Sequence, residues 1–300
     1  MSHMQVKLAG IELKNPVMTA SGTFGSGQEY SRFVNLSHLG AVVTKGVSIV
    51  PWSGNQTPRI VETPSGMLNA IGLQNPGIDV FCERDIPFLR QFDTRIIVNV
   101  CGHSMVEYCE VAERLSMEPV DLLEINVSCP NVKEGGIAFG QDPKALAGIV
   151  RQVKRVARQP IIIKLSPNVT DIKEKAKAAE AEGADAISLI NTLTGMKIDI
   201  YRRGFVLANR TGGLSGPCIH PVAVRMVYEA AHSVDIPVIG MGGISVAEDA
   251  IEMLMAGASA VAVGTASFRD PLALERIIDG IEEFLDSQGV EQIQDIIKVL

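Results

Sequence analysis

The stretch DPKALAGIVRQVKRVARQPIIIKLSPNVTDIKEKAKAAEAEGADAISLIN, Asp142 to Asn191, decides the fold. Asp142–Arg158 opens on an Asp-Pro start and carries apolar residues at helical spacing. Ile161–Leu165 is a short, continuous apolar run, as expected of a strand buried on both faces. Val169–Glu182 is helical again, with Thr170 as its expected cap, Glu174 in its first turns and Gly183 as its stop. Ala186–Asn191 is a further apolar run.

The alternation extends in both directions. Further strands are expected at Pro16–Ala20, Ala41–Thr44, Arg95–Val100, Leu122–Asn126, Pro237–Gly240 and Ala260–Gly264, and further helices at Pro221–Ser233 and Val246–Ala256. Ile281–Leu300 is amphipathic and expected to be helical. Eight strands alternating with helices, without a linker or a shift of composition, predict one α/β domain over residues 1–300, a (β/α)8 TIM barrel. A doubly wound open sheet is the alternative, weakened because no G-x-G-x-x-G follows an early strand. Gln28–Phe33, Ser48–Gly77 and Thr192–Gly216 are long for βα connections, so binding loops extended over the site are expected there. Ser2-His3-Met4 reads as a remnant of cloning and is set aside.

Composition narrows the function. The chain has 300 residues, 46% of them hydrophobic, and 27 basic against 34 acidic side chains give −7. This balance does not favour nucleic-acid binding. No apolar stretch reaches the roughly 18–20 residues of a membrane span. Cys82, Cys101, Cys109, Cys129 and Cys218 are odd in number and widely spaced, without a CxxC pair. That pattern points to reduced thiols in a cytoplasm, and away from a disulfide framework or a zinc site.

In a barrel of this type, chemistry gathers at the carboxyl ends of the strands. In chain order those ends carry Ala20-Ser21-Gly22, Thr44-Lys45-Gly46, Asn99, Asn126 with Ser128-Cys129, Lys164, Asn191-Thr192, Gly240-Met241-Gly242-Gly243 and Gly264-Thr265. One buried amide or ammonium has a bland reading as a satisfied core residue. Three asparagines and two lysines converging on one rim do not, because an unsatisfied buried polar group costs about 1–3 kcal/mol. The glycines after the last two strands lie where this barrel frequently binds phosphate. Lys164 at a flavin edge would stabilise the negative charge of the reduced ring.

These motifs resemble class 1 dihydroorotate dehydrogenases. The resemblance is carried by Asn126-Val127-Ser128-Cys129-Pro130-Asn131, Asn69-Ala70-Ile71-Gly72-Leu73-Gln74-Asn75, Lys164-Leu165-Ser166-Pro167-Asn168, Asn191-Thr192, Gly213-Leu214-Ser215-Gly216 and Gly240-Met241-Gly242-Gly243. It spans Pro16 to about Asp270. It implies an FMN barrel that oxidises (S)-dihydroorotate to orotate in pyrimidine biosynthesis. By the resemblance, Cys129 is the base; it takes the carbon-5 proton on the face of the substrate opposite the flavin, and Lys164 is the second catalytic residue expected, at the flavin edge. FMN contacts are implied for Ala20, Ser21, Lys45, Gly46, Asn99, Asn126, Lys164, Ile190, Gly216, Gly242, Gly243, Gly264 and Thr265. Substrate contacts are implied for Lys45, Asn69, Ala70, Ile71, Gly72, Leu73, Asn126, Asn131, Asn191 and Thr192. Gly135-Gly136 are expected to let the Cys129 loop move like a lid.

The segment Asn191–Asp199 looks most like the NAD-linked class 1B branch. That branch pairs a barrel homodimer with an iron–sulfur subunit carrying FAD and [2Fe–2S], two barrels and two partners forming a heterotetramer. The fumarate-linked class 1A and a dihydropyrimidine dehydrogenase-like barrel are the alternative enzymes. A non-catalytic barrel is the alternative outside enzymology.

Overall fold

The computed structural model describes residues 3–127 and 140–300. Ser128, Cys129, Pro130, Asn131 and Gly135-Gly136 therefore lie outside the described residues.

Eight short strands form a closed parallel barrel. They are β1 (Val17–Thr19), β2 (Ala41–Val43), β3 (Arg95–Val100), β4 (Leu122–Asn126), β5 (Ile161–Lys164), β6 (Ala186–Leu189), β7 (Val238–Met241) and β8 (Ala260–Val263). Neighbours in sequence are neighbours in space, and β8 closes the ring on β1 through Val261 opposite Val17. All eight correspond to expected strands, with ends displaced by at most two residues. Their continuous Val, Ile and Ala content suits burial on both faces: β2, β5, β6, β7 and β8 are buried at every position.

Among the described residues, six longer helices surround the barrel: α1 (Met105–Leu115), α2 (Pro143–Val156), α3 (Ile172–Ala181), α4 (His220–Ala231), α5 (Ala247–Met255) and α6 (Ala273–Gln288). Asp142 caps α2 as its sequence implies, accepting from the N–H groups of Lys144 and Ala145. For α3 the cap is Asp171 rather than Thr170, because its carboxylate accepts from the N–H groups of Lys173 and Glu174. The expected helix over Ile281–Leu300 is also corrected. It begins earlier, at Ala273, and ends at Gly289, whose left-handed φ of 66° stops it. A short 3-10 turn, Ile293–Ile296, then tucks Ile293 and Ile296 into the core.

The amino end is integral to the fold. Met4 is buried, and the His3 carbonyl accepts from the Ile293 N–H at 2.9 Å, so these two residues pack against the fold whatever their origin. Val6–Leu8 and Ile11–Leu13 form a hairpin beside the amino ends of β2 and β3, where Arg95 donates to the Glu12 carbonyl at 3.0 Å.

At the opposite end, two long βα connections are not irregular loops. Ile60–Thr63 and Gly66–Asn69 from the β2 connection join Leu193–Met196 and Thr211–Ser215 from the β6 connection in one four-stranded antiparallel sheet. Asn69 faces both Ile60 and Gly213 in this register. The sheet has its own small apolar cluster, Leu68, Ala70 and Leu207, and contributes Ile60, Met67, Asn69 and Ser215 to the wall of the barrel mouth.

Candidate functional site

A cavity of about 440 Å3 opens at the carboxyl ends of the strands. Its size falls within the roughly 300–1,000 Å3 usual for cofactor and ligand sites.

Alternation along β4 turns Glu124 and Asn126 to the same face, into the barrel. Register then places Asn99 on β3 opposite Glu124, and Lys164 on β5 opposite Asn126. The consequence is a connected polar floor. The Glu124 carboxylate accepts from Asn99 Nδ2 at 2.5 Å and from Ser188 Oγ at 3.2 Å. It also lies 3.4 Å from Lys164 Nζ, with both side chains almost fully buried. Lys164 Nζ donates to Ser21 Oγ at 3.1 Å, and Asn126 Nδ2 donates to Asn99 Oδ1 at 3.3 Å. The Tyr108 hydroxyl ties down the Asn126 carbonyl at 2.7 Å. An uncompensated buried ion costs several kcal/mol, so this charge pair is tenable because hydrogen bonds saturate its carboxylate.

Most of the predicted residues converge on this one cavity. Ala20, Ser21, Lys45, Gly46, Asn69, Ile71, Gly72, Leu73, Asn126, Lys164, Ile190, Asn191, Thr192, Gly216, Gly242, Gly243, Gly264 and Thr265 all line it. Asn99 does not; it is fully buried behind Asn126, its amide engaged by Glu124. Ala70 is buried in the small apolar cluster of the covering sheet rather than facing the cavity. Cys129 and Asn131 lie outside the described residues.

The glycine segments shape one end. Gly243 has φ 74°, and a Cβ there would stand 2.7 Å from the His220 Cβ and 2.9 Å from the Gly216 carbonyl. The His220 ring in turn contacts the Gly242 carbonyl at 2.9 Å and the Glu252 carboxylate at 3.0 Å. The Asp249 carboxylate takes the N–H groups of Ser245 and Val246 at the start of α5. Both of these N–H groups lie just before the first helical residue of α5, Ala247. Thr265 Oγ1 donates to Ser215 Oγ at 2.8 Å in the same wall.

Several wall residues were not foreseen. Arg59 lines the cavity and donates to Gln74 Oε1 at 2.5 Å, and Met67, Gln74, Ser215 and Phe268 line it as well. Gln74 and Ser215 lie within the Asn69–Asn75 and Gly213–Gly216 motifs, whereas no motif announces Arg59, Met67 or Phe268; Met67 comes in on the covering sheet and Phe268 on the short helix Ala266–Arg269 after β8. Glu124 had a signal, a carboxylate inside an apolar run, but its partners depend on strand register. Two ammonium groups, three amides and glycine turns around one concave space suit a flat, polar, anionic ligand carrying phosphate.

Comparison with known proteins gives the family. The dihydroorotate dehydrogenase family model matches residues 3–285. The chain is 67% identical over 292 residues to the "Dihydroorotate dehydrogenase B (NAD(+)), catalytic subunit" of Lachnoclostridium phytofermentans, covering 97% of each chain. It is 60% identical over 295 residues to the protein of the same name from Alkaliphilus oremlandii, covering 98% of each. A crystal structure of the Eimeria tenella dihydroorotate dehydrogenase in complex with ferulenol superposes with a TM-score of 0.85, covering 100% of this chain and 89% of that one. At 23% identity, that last likeness concerns the fold.

Proposed function

The chain belongs to the dihydroorotate dehydrogenase family, and from that premise we propose that it is the FMN-bearing catalytic subunit of an NAD-linked dihydroorotate dehydrogenase. Its reaction is the oxidation of (S)-dihydroorotate to orotate. The observation that carries this reading is the convergence of Lys45, Lys164, Asn69, Asn126 and Asn191 with the glycine turns after β7 and β8 on one 440 Å3 cavity.

Bound FMN would supply the acceptor for the hydride removed from carbon 6 of the substrate. Ala20, Ser21, Lys164 and Asn126 would hold its ring, and Gly216, Gly242, Gly243, Gly264 and Thr265 its phosphate. The Lys164 ammonium, fixed by Ser21 and Glu124, is placed to favour negative charge at the ring edge. Asn69, Asn126 and Asn191 offer donors and acceptors to the amide-like edges of the pyrimidine, and Lys45 supplies positive charge for its carboxylate. The covering sheet keeps water from the reacting atoms. Cys129 takes the carbon-5 proton. A free thiol titrates near ~8.5, so turnover should rise with pH through that range. Electrons then pass to NAD through a partner subunit carrying FAD and an iron–sulfur cluster, in a cytoplasmic assembly of two barrels and two partners. Among the described residues, no helix is long and apolar enough to cross a membrane.

The test is spectroscopic. Purified protein, reconstituted with FMN if necessary, should be yellow and should bleach anaerobically on addition of dihydroorotate, with little response to dihydrouracil. A preparation that takes up no FMN, or holds FMN that dihydroorotate leaves oxidised, would refute the proposal. Replacing Cys129 with Ala should leave the flavin bound and collapse turnover. Co-purification of an iron–sulfur flavoprotein conferring NAD-dependent turnover tests the partner, and turnover with fumarate in its absence would assign the chain to the other branch.

A further inference from the structure

We propose that Glu124 is a positioning residue for the reaction: its carboxylate, one layer below the cavity floor, fixes Lys164 and Asn126 and offsets the charge that Lys164 presents to the flavin. The inference rests on FMN binding as proposed above.

The carboxylate is 1% exposed and meets three side chains from three different strands. Asn99 approaches from β3 at 2.5 Å, Ser188 from β6 at 3.2 Å and Lys164 from β5 at 3.4 Å. Glu124 does not line the cavity, yet the residues it holds do, Lys164 directly and Asn126 through Asn99. Removing this carboxylate would therefore loosen two cavity-lining groups.

A purely structural role is a weak explanation. A buried ion pair commonly contributes little to stability compared with an apolar pair of the same volume. Here the pair places a positive end at the cavity and a negative end below it. Lys164 alone would present a full positive charge to a ring that becomes anionic on reduction. With Glu124 beneath, the floor is closer to a dipole, and the preference for the reduced ring is moderated. Replacement of Glu124 by Gln keeps the shape and removes the charge, whereas replacement by Asp keeps the charge and withdraws it by one methylene.

The experiment measures the midpoint potential of bound FMN in the full chain, by equilibration with a reference dye, for the wild type, Glu124→Gln and Glu124→Asp. Glu124→Gln should shift the potential positive, because Lys164 is no longer opposed, and Glu124→Asp should lie nearer the wild type. A packing role predicts the reverse order, with the isosteric Gln the milder change. Should Glu124→Gln fail to fold alone, the FMN dissociation constants of Lys164→Met and of Lys164→Met/Glu124→Gln decide. Lys164→Met removes a ring contact and also leaves an unopposed buried carboxylate, and should weaken FMN binding at least tenfold; the double variant should recover the part of that loss due to the stranded carboxylate. An unmoved or more negative potential in Glu124→Gln, or a double variant that binds FMN no better than Lys164→Met, would overturn the inference. A wild-type chain that takes up no FMN would instead refute the function it rests on.

Discussion

Gly243 shows how narrowly single positions are specified. Its φ of 74° costs an ordinary L-residue about 1–2 kcal/mol, and a Cβ would also meet His220 and the Gly216 carbonyl. Replacing it with Val should weaken FMN binding at least tenfold while the barrel still folds, as a fluorescence titration would measure. The cysteines behave in the opposite sense. Burial first, and then the neighbouring Glu118 carboxylate, push the Cys82 thiol up to about 11. A raised thiol stays neutral through the physiological range and becomes thiolate only as pH climbs toward that value. Since the thiolate is the nucleophile, iodoacetamide at about pH 8 should label the exposed Cys218 and spare Cys82, as peptide mass mapping would read.

Among the elements, the cap of α3 gives a clean comparison. Asp171→Ala should cost about 1 kcal/mol in urea unfolding, and Thr170→Ala at most a few tenths, since only Asp171 accepts the first N–H groups. The eight strands were legible because unbroken Val and Ile runs have one economical reading in an alternating chain. The helix caps were legible to within a residue, since Thr170 and Asp171 are both good caps and only backbone geometry separates them. The covering sheet was not legible. Its strands Gly66–Asn69, Leu193–Met196 and Thr211–Ser215 are rich in Gly, Asn and Thr and pair with segments far away in sequence. For the same reason the cavity-lining residues at the strand ends carry a sequence signal, whereas Arg59 and Met67 do not.

At the scale of the molecule, the covering sheet and the barrel have separate apolar clusters. Truncating Leu207 to Ala should therefore loosen the mouth more than the body. The expected outcome is a severalfold rise in KM for dihydroorotate with a small shift in the unfolding midpoint. Leu122→Ala, inside the barrel, should instead cost about 2–5 kcal/mol. Closure of the ring has a further consequence, for biosynthesis. Val17 finds its partner Val261 only when nearly the whole chain exists. A polypeptide emerging from the ribosome amino end first therefore carries the open edge of its first strand until the last one appears. Nascent chains arrested before Ala260 should be the species that chaperones hold, and ring completion the event that releases them.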